Sequence, residues 1–326
     1  MNIRSHPTLL LCLLIPLLSG SLVAKGETIT ETFKNIKRLD IETVSGDCVV
    51  ETGKGKQVTV KVDYDYPEDC FVPEFDEFSG ALRVRERFRG HWSCNGYSEW
   101  TITVPKDIDI EYSSASGSFS IRGTEGDLSI ESASGRIEIE DCKGQFELDN
   151  ASGRIEITDA SGDFEVDNAS GRIRLSNVSG KFELDNASGN IDIKDASGRF
   201  HVDNASGDIE AVDITIEDDS EFDTASGDVL VVLAKSSAFD LELDAASGDV
   251  VLDYNGNPVT GYFEFTARKD RGRIVSPIKF DTEEEYEPGW GDGRHPVIYL
   301  RKTFTRGDKE PVILLSTSSG TAELKQ

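Results

Sequence analysis

Glycine recurs every nine residues from Gly117 to Gly207: Gly117, Gly126, Gly135, Gly144, Gly153, Gly162, Gly171, Gly180, Gly189, Gly198 and Gly207. Most are preceded by serine and followed by alternating polar and apolar residues, as in Ser152-Gly153-Arg154-Ile155-Glu156-Ile157. The interval is one of short alternating segments separated by turn residues. Strands of about five residues joined by turns satisfy it directly, because glycine supplies positive φ and Asp and Asn tolerate the left-handed region.

Counted from each glycine, positions +2 and +4 are apolar throughout the block. Position +2 includes Ile137, Phe146, Ile155, Phe164, Ile173, Phe182, Ile191 and Phe200. Position +4 includes Ile139, Leu148, Ile157, Val166, Leu175, Leu184, Ile193 and Val202. Period-two alternation is the signature of a half-buried strand.

From Ile137 onward, Phe and Ile alternate at +2, and Asp149-Asn150, Asp167-Asn168, Asp185-Asn186 and Asp203-Asn204 share the phase of Phe. The true period is therefore eighteen. Stacking residue i on i+18 explains both columns, with two strands and two turns per coil. The expectation is an all-β β-solenoid (β-helix) of nine-residue strand-turn repeats, each coil burying its core only with its neighbours. An eleven-strand antiparallel meander would leave one apolar face uncovered, and a 27-residue coil would put Phe over Ile.

Outside this block the same unit recurs with longer loops. Gln57 to Tyr64 alternates as a strand, Tyr66 to Glu77 reads as a loop-like insert with two prolines, and Arg87 to Tyr97 as another insert. Copies reappear at Ser226-Gly227-Asp228, Ser247-Gly248-Asp249 and Ser319-Gly320. The organisation read from this is a signal peptide at 1–24, irregular β repeats with loop inserts at 25–113, the regular solenoid at 114–213, and looser repeats with a cap at 214–326. The irregular flanks would close the ends of the stack, which otherwise invite edge pairing.

Arg4, the apolar run Leu9 to Leu18 and the small residues Ser19, Gly20, Ser21 and Ala24 read as a secretory signal. The run is broken by Pro16 and too short to span a bilayer. The expectation is an exported protein with no integral membrane span, periplasmic, at the cell surface or extracellular. Export makes Cys70 and Cys94, both in irregular sequence, the preferred disulfide pair. Cys48 and Cys142 fall at inward-facing positions and read as buried thiols, with a bridge between them as the alternative. With 61 Asp and Glu against 34 Lys and Arg, the net charge of -27 argues against nucleic acid as a partner.

The Leu39-Asp40-Ile41 to Ser45-Gly46-Asp47 segment, Trp100-Thr101-Ile102-Thr103-Val104-Pro105-Lys106, and the Ser-Gly-Asp-Val/Ile restarts at Ser206, Ser226 and Ser247 carry a resemblance. The chain resembles the bacterial adhesin-type β-strand-repeat family, also called domain of unknown function 4097. The resemblance covers most of the chain beyond the signal. It implies a β-solenoid-like exported or envelope-associated protein and brings no catalytic residues with it. The nine-residue spacing is tighter here than in typical members.

The sharpest candidate site is the column Asp149, Asp167, Asp185 and Asp203, extended by Glu131. Oxygen-only ligands in a row suit Ca²⁺, although the Gly-Gly-x-Gly-x-Asp turns of calcium-binding nonapeptide rolls are missing. The bland alternative is an exposed acidic stripe. Asn150, Asn168, Asn177, Asn186 and Asn204 match the N-glycosylation pattern, yet turn geometry demands the same residues. Arg136, Arg154 and Arg172 read as surface ion-pair partners of Glu138 and Glu156. His91-Trp92-Ser93-Cys94 lacks the further ligands that a zinc site needs.

No phosphate loop, metalloprotease motif or nucleophile-base set is present. The reading is a non-enzymatic exported binding protein or candidate adhesin of the bacterial envelope, whose partner is an envelope protein or glycan. Its rival is a structural envelope scaffold without a specific ligand. A calcium-binding β-roll and a polysaccharide-acting β-helix enzyme rank below both.

Overall fold

The computed structural model describes residues 26–67, 69–90, 94–287 and 297–326. The signal segment 1–24, His91-Trp92 and Gly289-Trp290-Gly291 lie outside the described residues. Among the described residues the protein is all-β, an open sheet of 27 strands with no helix.

Strand pairing in the central block is parallel and offset by eighteen residues. Phe146 pairs with Phe164, Phe164 with Phe182 and Phe182 with Phe200. In a second ladder Ile137 pairs with Ile155, Ile155 with Ile173 and Ile173 with Ile191. Gly171–Asn186 and Ile191–Asn204 run through both ladders without a break. The +2 and +4 side chains of both ladders are buried in one continuous core that reaches from Ile36 to Leu324. Phe146, Phe164, Phe182 and Phe200 stack face to face at 4.6, 5.0 and 4.9 Å, with ring planes within 9° of parallel. These rings measure the coil-to-coil step of the molecule.

The glycines are required by that step. Gly162 has φ of 149°, and a Cβ there would overlap the carbonyl oxygen of Gly144, the equivalent glycine one coil earlier. Gly153 stands in the same relation to Gly135 with φ of 135°. No side chain larger than hydrogen fits between coils at these points.

The two corners of each coil differ. The Ile strands exit through Asp141, Asp159, Asn177, Asp195 and Asp213, all left-handed with φ between 51° and 57°. Each is followed by a small or apolar residue turned inward: Cys142, Ala160, Val178, Ala196 and Ile214 are buried. The Phe strands exit instead through Asp-Asn-Ala-Ser, with asparagine buried and alanine exposed. One corner is tight and filled; the other is wide and polar.

Beyond the block the step lengthens. Asp203 pairs with Asp223 and Asp223 with Asp244, offsets of 20 and 21, and Asp244 pairs with Ser316 after the excursion of residues 254–311. Antiparallel strands flank both ends of the stack. Glu27–Lys34 pairs with Gln57–Tyr64, and Phe71–Phe78 with Ala81–Phe88. At the other end Tyr299–Arg306 joins Gly261–Arg268 and Thr282–Tyr286. Much of the stretch read as the Tyr66–Glu77 loop is thus an edge strand, with Pro73 where an edge tolerates a missing N–H.

Near this end Glu86 is buried at 8 % exposure. It accepts hydrogen bonds from the Val44 N–H (2.6 Å), the Ser45 N–H (3.1 Å), Trp100 Nε1 (3.0 Å) and the Ser98 hydroxyl. Four donors compensate a buried carboxylate. A disulfide joins Cys70 to Cys94 with Cα atoms 5.9 Å apart, and Cys48 and Cys142 are buried free thiols. Burial and the neighbouring Glu86 push the Cys48 thiol far up, so it is not a reactive thiolate.

Candidate acidic groove

The wide corner opens into a groove of 1190 Å³. Four successive coils contribute the same lining triplet, from Asp149-Asn150-Ala151 to Asp203-Asn204-Ala205, while Ser132 and Thr224 take the asparagine position before and after them. Asp149, Asp167, Asp185 and Asp203 stand in register in the Phe ladder, with Glu131 before them. The structure adds Asp223 and Asp244 to the same file and the same groove. The regular beat missed both because the coils there are longer than eighteen residues. The Asp-x-Ala-Ser-Gly pentad of Asp223-Thr224-Ala225-Ser226-Gly227 and Asp244-Ala245-Ala246-Ser247-Gly248 was the signal that could have found them. Seven carboxylates over six steps span roughly 29 Å at ~4.8 Å per coil.

A second acidic file lies beside the first. Glu147, Glu165 and Glu183 stack in register, followed by His201, Glu221 and Glu242. His201 interrupts the file of glutamates, with Nε2 3.4 Å from Asp203 and Nδ1 3.4 Å from Glu221.

Each adjacent pair of carboxylates repels by about 1 kcal/mol even at the dielectric of water. Burial first, and this crowding second, raises carboxyl groups in both files. Burial, then Asp167 and Asp203, hold the Asp185 carboxyl above the usual range. Burial, then Asp244 and Asp203, push Asp223 up to about 6. Glu165, Glu242 and Asp244 are raised as well, each first by burial; repulsion from neighbouring acids adds to it at Glu165 and Glu242.

The floor is polar and incompletely satisfied. Asn150, Asn168, Asn186 and Asn204 are 3–4 % exposed. Asn204 Nδ2 donates to the Gly189 carbonyl at 2.9 Å, and Asn186 Nδ2 to that of Gly171 at 3.4 Å. Neither amide atom of Asn168 has a partner, nor does Oδ1 of Asn186. Burial of these amides also takes them out of reach as glycosylation acceptors.

Among the described residues no group of three or more His, Cys, Asp or Glu converges to hold a metal ion. The carboxylates stand in single file, one per coil, whereas Ca²⁺ takes six to eight oxygens.

The Ile ladder faces solvent with both signs of charge. Arg136 pairs with Glu138 at 3.1 Å and Arg154 with Glu156 at 3.5 Å. Arg172 turns to Asp192 at 3.3 Å, because Arg174 occupies its own coil's acidic position and bridges Glu156 and Asp192 at 3.3 and 3.6 Å. Further along, the Asp that follows each Ser-Gly is structural. Asp208 accepts the Asp228 N–H at 3.0 Å, and Asp228 accepts the Asp249 N–H at 2.7 Å, linking successive coils.

Among the described residues no helix is long and apolar enough to cross a membrane. Comparison with curated proteins returned no match. Among solved structures the chain is similar to a candidate adhesin from Parabacteroides merdae, at 10% identity and a TM-score of 0.44, covering 93% of this chain and 98% of that one. It is similar to a candidate lipid-binding protein from Parabacteroides distasonis, at 18% identity and a TM-score of 0.37, over 72% and 91% of the two chains. A candidate adhesin from Bacteroides fragilis matches at 12% identity and a TM-score of 0.35, over 92% and 97%. A family model matches residues 36–272, most of the chain, and on that ground the protein belongs to the Toastrack DUF4097 family.

Proposed function

We propose that the protein is an exported, non-enzymatic β-solenoid that acts by binding, with the acidic groove as its binding surface at the cell envelope. One observation carries this reading: an Asp and an Ala recur coil after coil along one open groove, with Asn between them in four successive coils. A catalytic site is a singular arrangement of unlike groups, whereas a repeated surface suits an extended ligand engaged many times over. The irregular repeats of 25–113 and the looser repeats of 214–326 extend the stack, and their antiparallel strands cap it against pairing end to end. Calcium enters as a bridging ion between neighbours of the file Asp149, Asp167, Asp185 and Asp203, where burial and then repulsion from Asp167 and Asp203 lift the Asp185 carboxyl.

Immobilised protein is exposed to extract of its native envelope, with and without millimolar Ca²⁺, alongside an Asp167→Asn/Asp185→Asn/Asp203→Asn variant. Saturable retention of an envelope component, lost in the variant, is the expected result. Equal retention by both proteins removes the groove from the function, and no retention at all leaves the scaffold reading in its place.

A further inference from the structure

The strand Val229–Leu233, in the Ile ladder, abandons the alternation of the central block. Val229-Leu230-Val231-Val232-Leu233 is apolar at every position. A continuous apolar run of this kind marks a strand covered on both faces. Val229, Val231 and Leu233 fill the core, whereas Leu230 and Val232 point outward and are half-buried. Leu230 lies in register between Glu210 and Val251, and Val232 between Val212 and Asp253, so two further valines extend the outward patch. Earlier coils are polar at these positions, as at Glu156 and Thr158 or Arg174 and Ser176.

The rims of the patch select what covers it. One coil before it stand Asp192 and Lys194, and one coil after it Glu323 and Lys325. Both rims place the acid in the file of Leu230 and the base in the file of Val232. Such a face is complementary to itself. A two-fold axis parallel to the stack lays a second copy on it with the two files exchanged. Leu230 then meets the second copy's Val232, Asp192 its Lys194 and Glu323 its Lys325. The two remaining acids each have a base one coil away: Glu210 the second copy's Lys194, and Asp253 its own Lys325. An axis across the stack would instead set Asp192 against Glu323 and Lys194 against Lys325, like charge on like, which opposes association.

We propose that two copies of the chain associate back to back through the outer face of the Ile ladder, centred on Leu230 and Val232, with their stacks parallel. This contact goes beyond the groove and is independent of it, because the carboxylates of the Phe ladder stay outside. Five strands at ~4.8 Å give a contact about 24 Å long. That is small for a permanent assembly, so the dimer forms and dissociates with concentration.

The test is sedimentation velocity on the full purified chain from low to high micromolar concentration, with melting curves confirming that each variant folds. The parent shifts from monomer to dimer across that range. Leu230→Thr/Val232→Thr/Val251→Thr, which removes apolar surface while keeping two β-branched positions and adding a third, weakens the dimer by about tenfold or more. Lys325→Glu leaves the second rim wholly acidic and weakens it several-fold. Glu323→Lys/Lys325→Glu exchanges the two charges and returns the affinity to within about twofold of the parent, because the exchanged rim is again complementary to itself.

A parent that stays monomeric at the highest concentration overturns the proposal. A dimer unmoved by the threonine variant places the contact elsewhere and overturns it as well. Failure of the double exchange to restore the dimer overturns the two-fold arrangement. Species that grow past the dimer overturn it in favour of head-to-tail pairing of strand edges.

Discussion

The two ladders of the coil share a backbone plan and a core, but they solve their electrostatics in opposite ways. On the Ile ladder a file of arginines runs beside a file of acids, and Arg174, standing in the acidic file, reaches the carboxylates of the coils on either side of it. Such pairs are worth little individually, but they leave the face neutralised. On the Phe ladder, files of Asp and Glu run side by side with His201 as the one interruption among the named positions. Nothing in the fold demands this, since the outward positions of both ladders are equivalent strand positions. The contrast teaches that charge on one face is balanced internally while on the other it is left open to solvent or ligand.

The glycine column is where both ladders are most exposed to failure. Gly162→Ala at the tight corner, and Gly153→Ala at the wide one, each place a methyl group against a neighbouring carbonyl. The expected cost is about 4 kcal/mol or more for Gly162 in urea denaturation, in the range reserved for strained backbone and overpacking. The wide corner has more room to relax, so Gly153→Ala should cost less. Equal costs would mean that the difference between the corners has no mechanical consequence.

Core truncation comes next. Phe164→Ala removes a ring stacked between Phe146 and Phe182 and is expected to cost about 3–5 kcal/mol, against about 1 kcal/mol for Ile155→Val in the other ladder. Chemical denaturation of both variants checks the order, and a reversal would show that the Phe file is not the stiffer half of the core.

The acidic face predicts a pH dependence with a definite sign. Asp223 has its folded carboxyl raised to about 6 from the ordinary value near 3.8. Between those values the folded chain holds more protons than the unfolded chain, so stability falls as pH rises through 6 and recovers on acidification. Because the group is partly solvated, Asp223→Asn should add only on the order of 1 kcal/mol at pH 8 and nothing at pH 4. Melting curves of parent and variant across that range read the effect directly; a gain that persists at pH 4 would assign it to packing instead of charge.

The smallest effect is expected on the balanced face. Arg154→Ala should change stability by less than about 1 kcal/mol, and less still at 1 M salt, where the Debye length is ~3 Å. A larger loss would show that the arginine file holds coils together.

Several elements could be read from residues alone, and the reason is physical in each case. Glycine at every ninth position, with φ that only glycine adopts easily, fixes where the chain must turn. Phe at every eighteenth position fixes which coils pair, because like rings stack on like. The four aspartates of the groove were legible for the same reason, being locked in phase with Phe. Asp223 and Asp244 were not, because loops of different length break the count while the pairing continues. Phe71–Phe78 was hidden by Pro73, since an edge strand accepts a proline that a sequence reading takes for a loop.

What the sequence determined by itself is thus the local rule: strand, turn, phase and the inward or outward sense of each side chain. These depend on sterics within a few residues and on the period of the pattern. Tertiary structure alone decided that one corner is tight and filled by Ala160 or Val178 while the other opens around Asn168. It also decided that Glu86 would be buried among four donors drawn from distant segments. Such outcomes depend on which coil lies above and below, and on how far apart the two ladders stand. No period in a single chain of letters encodes that distance.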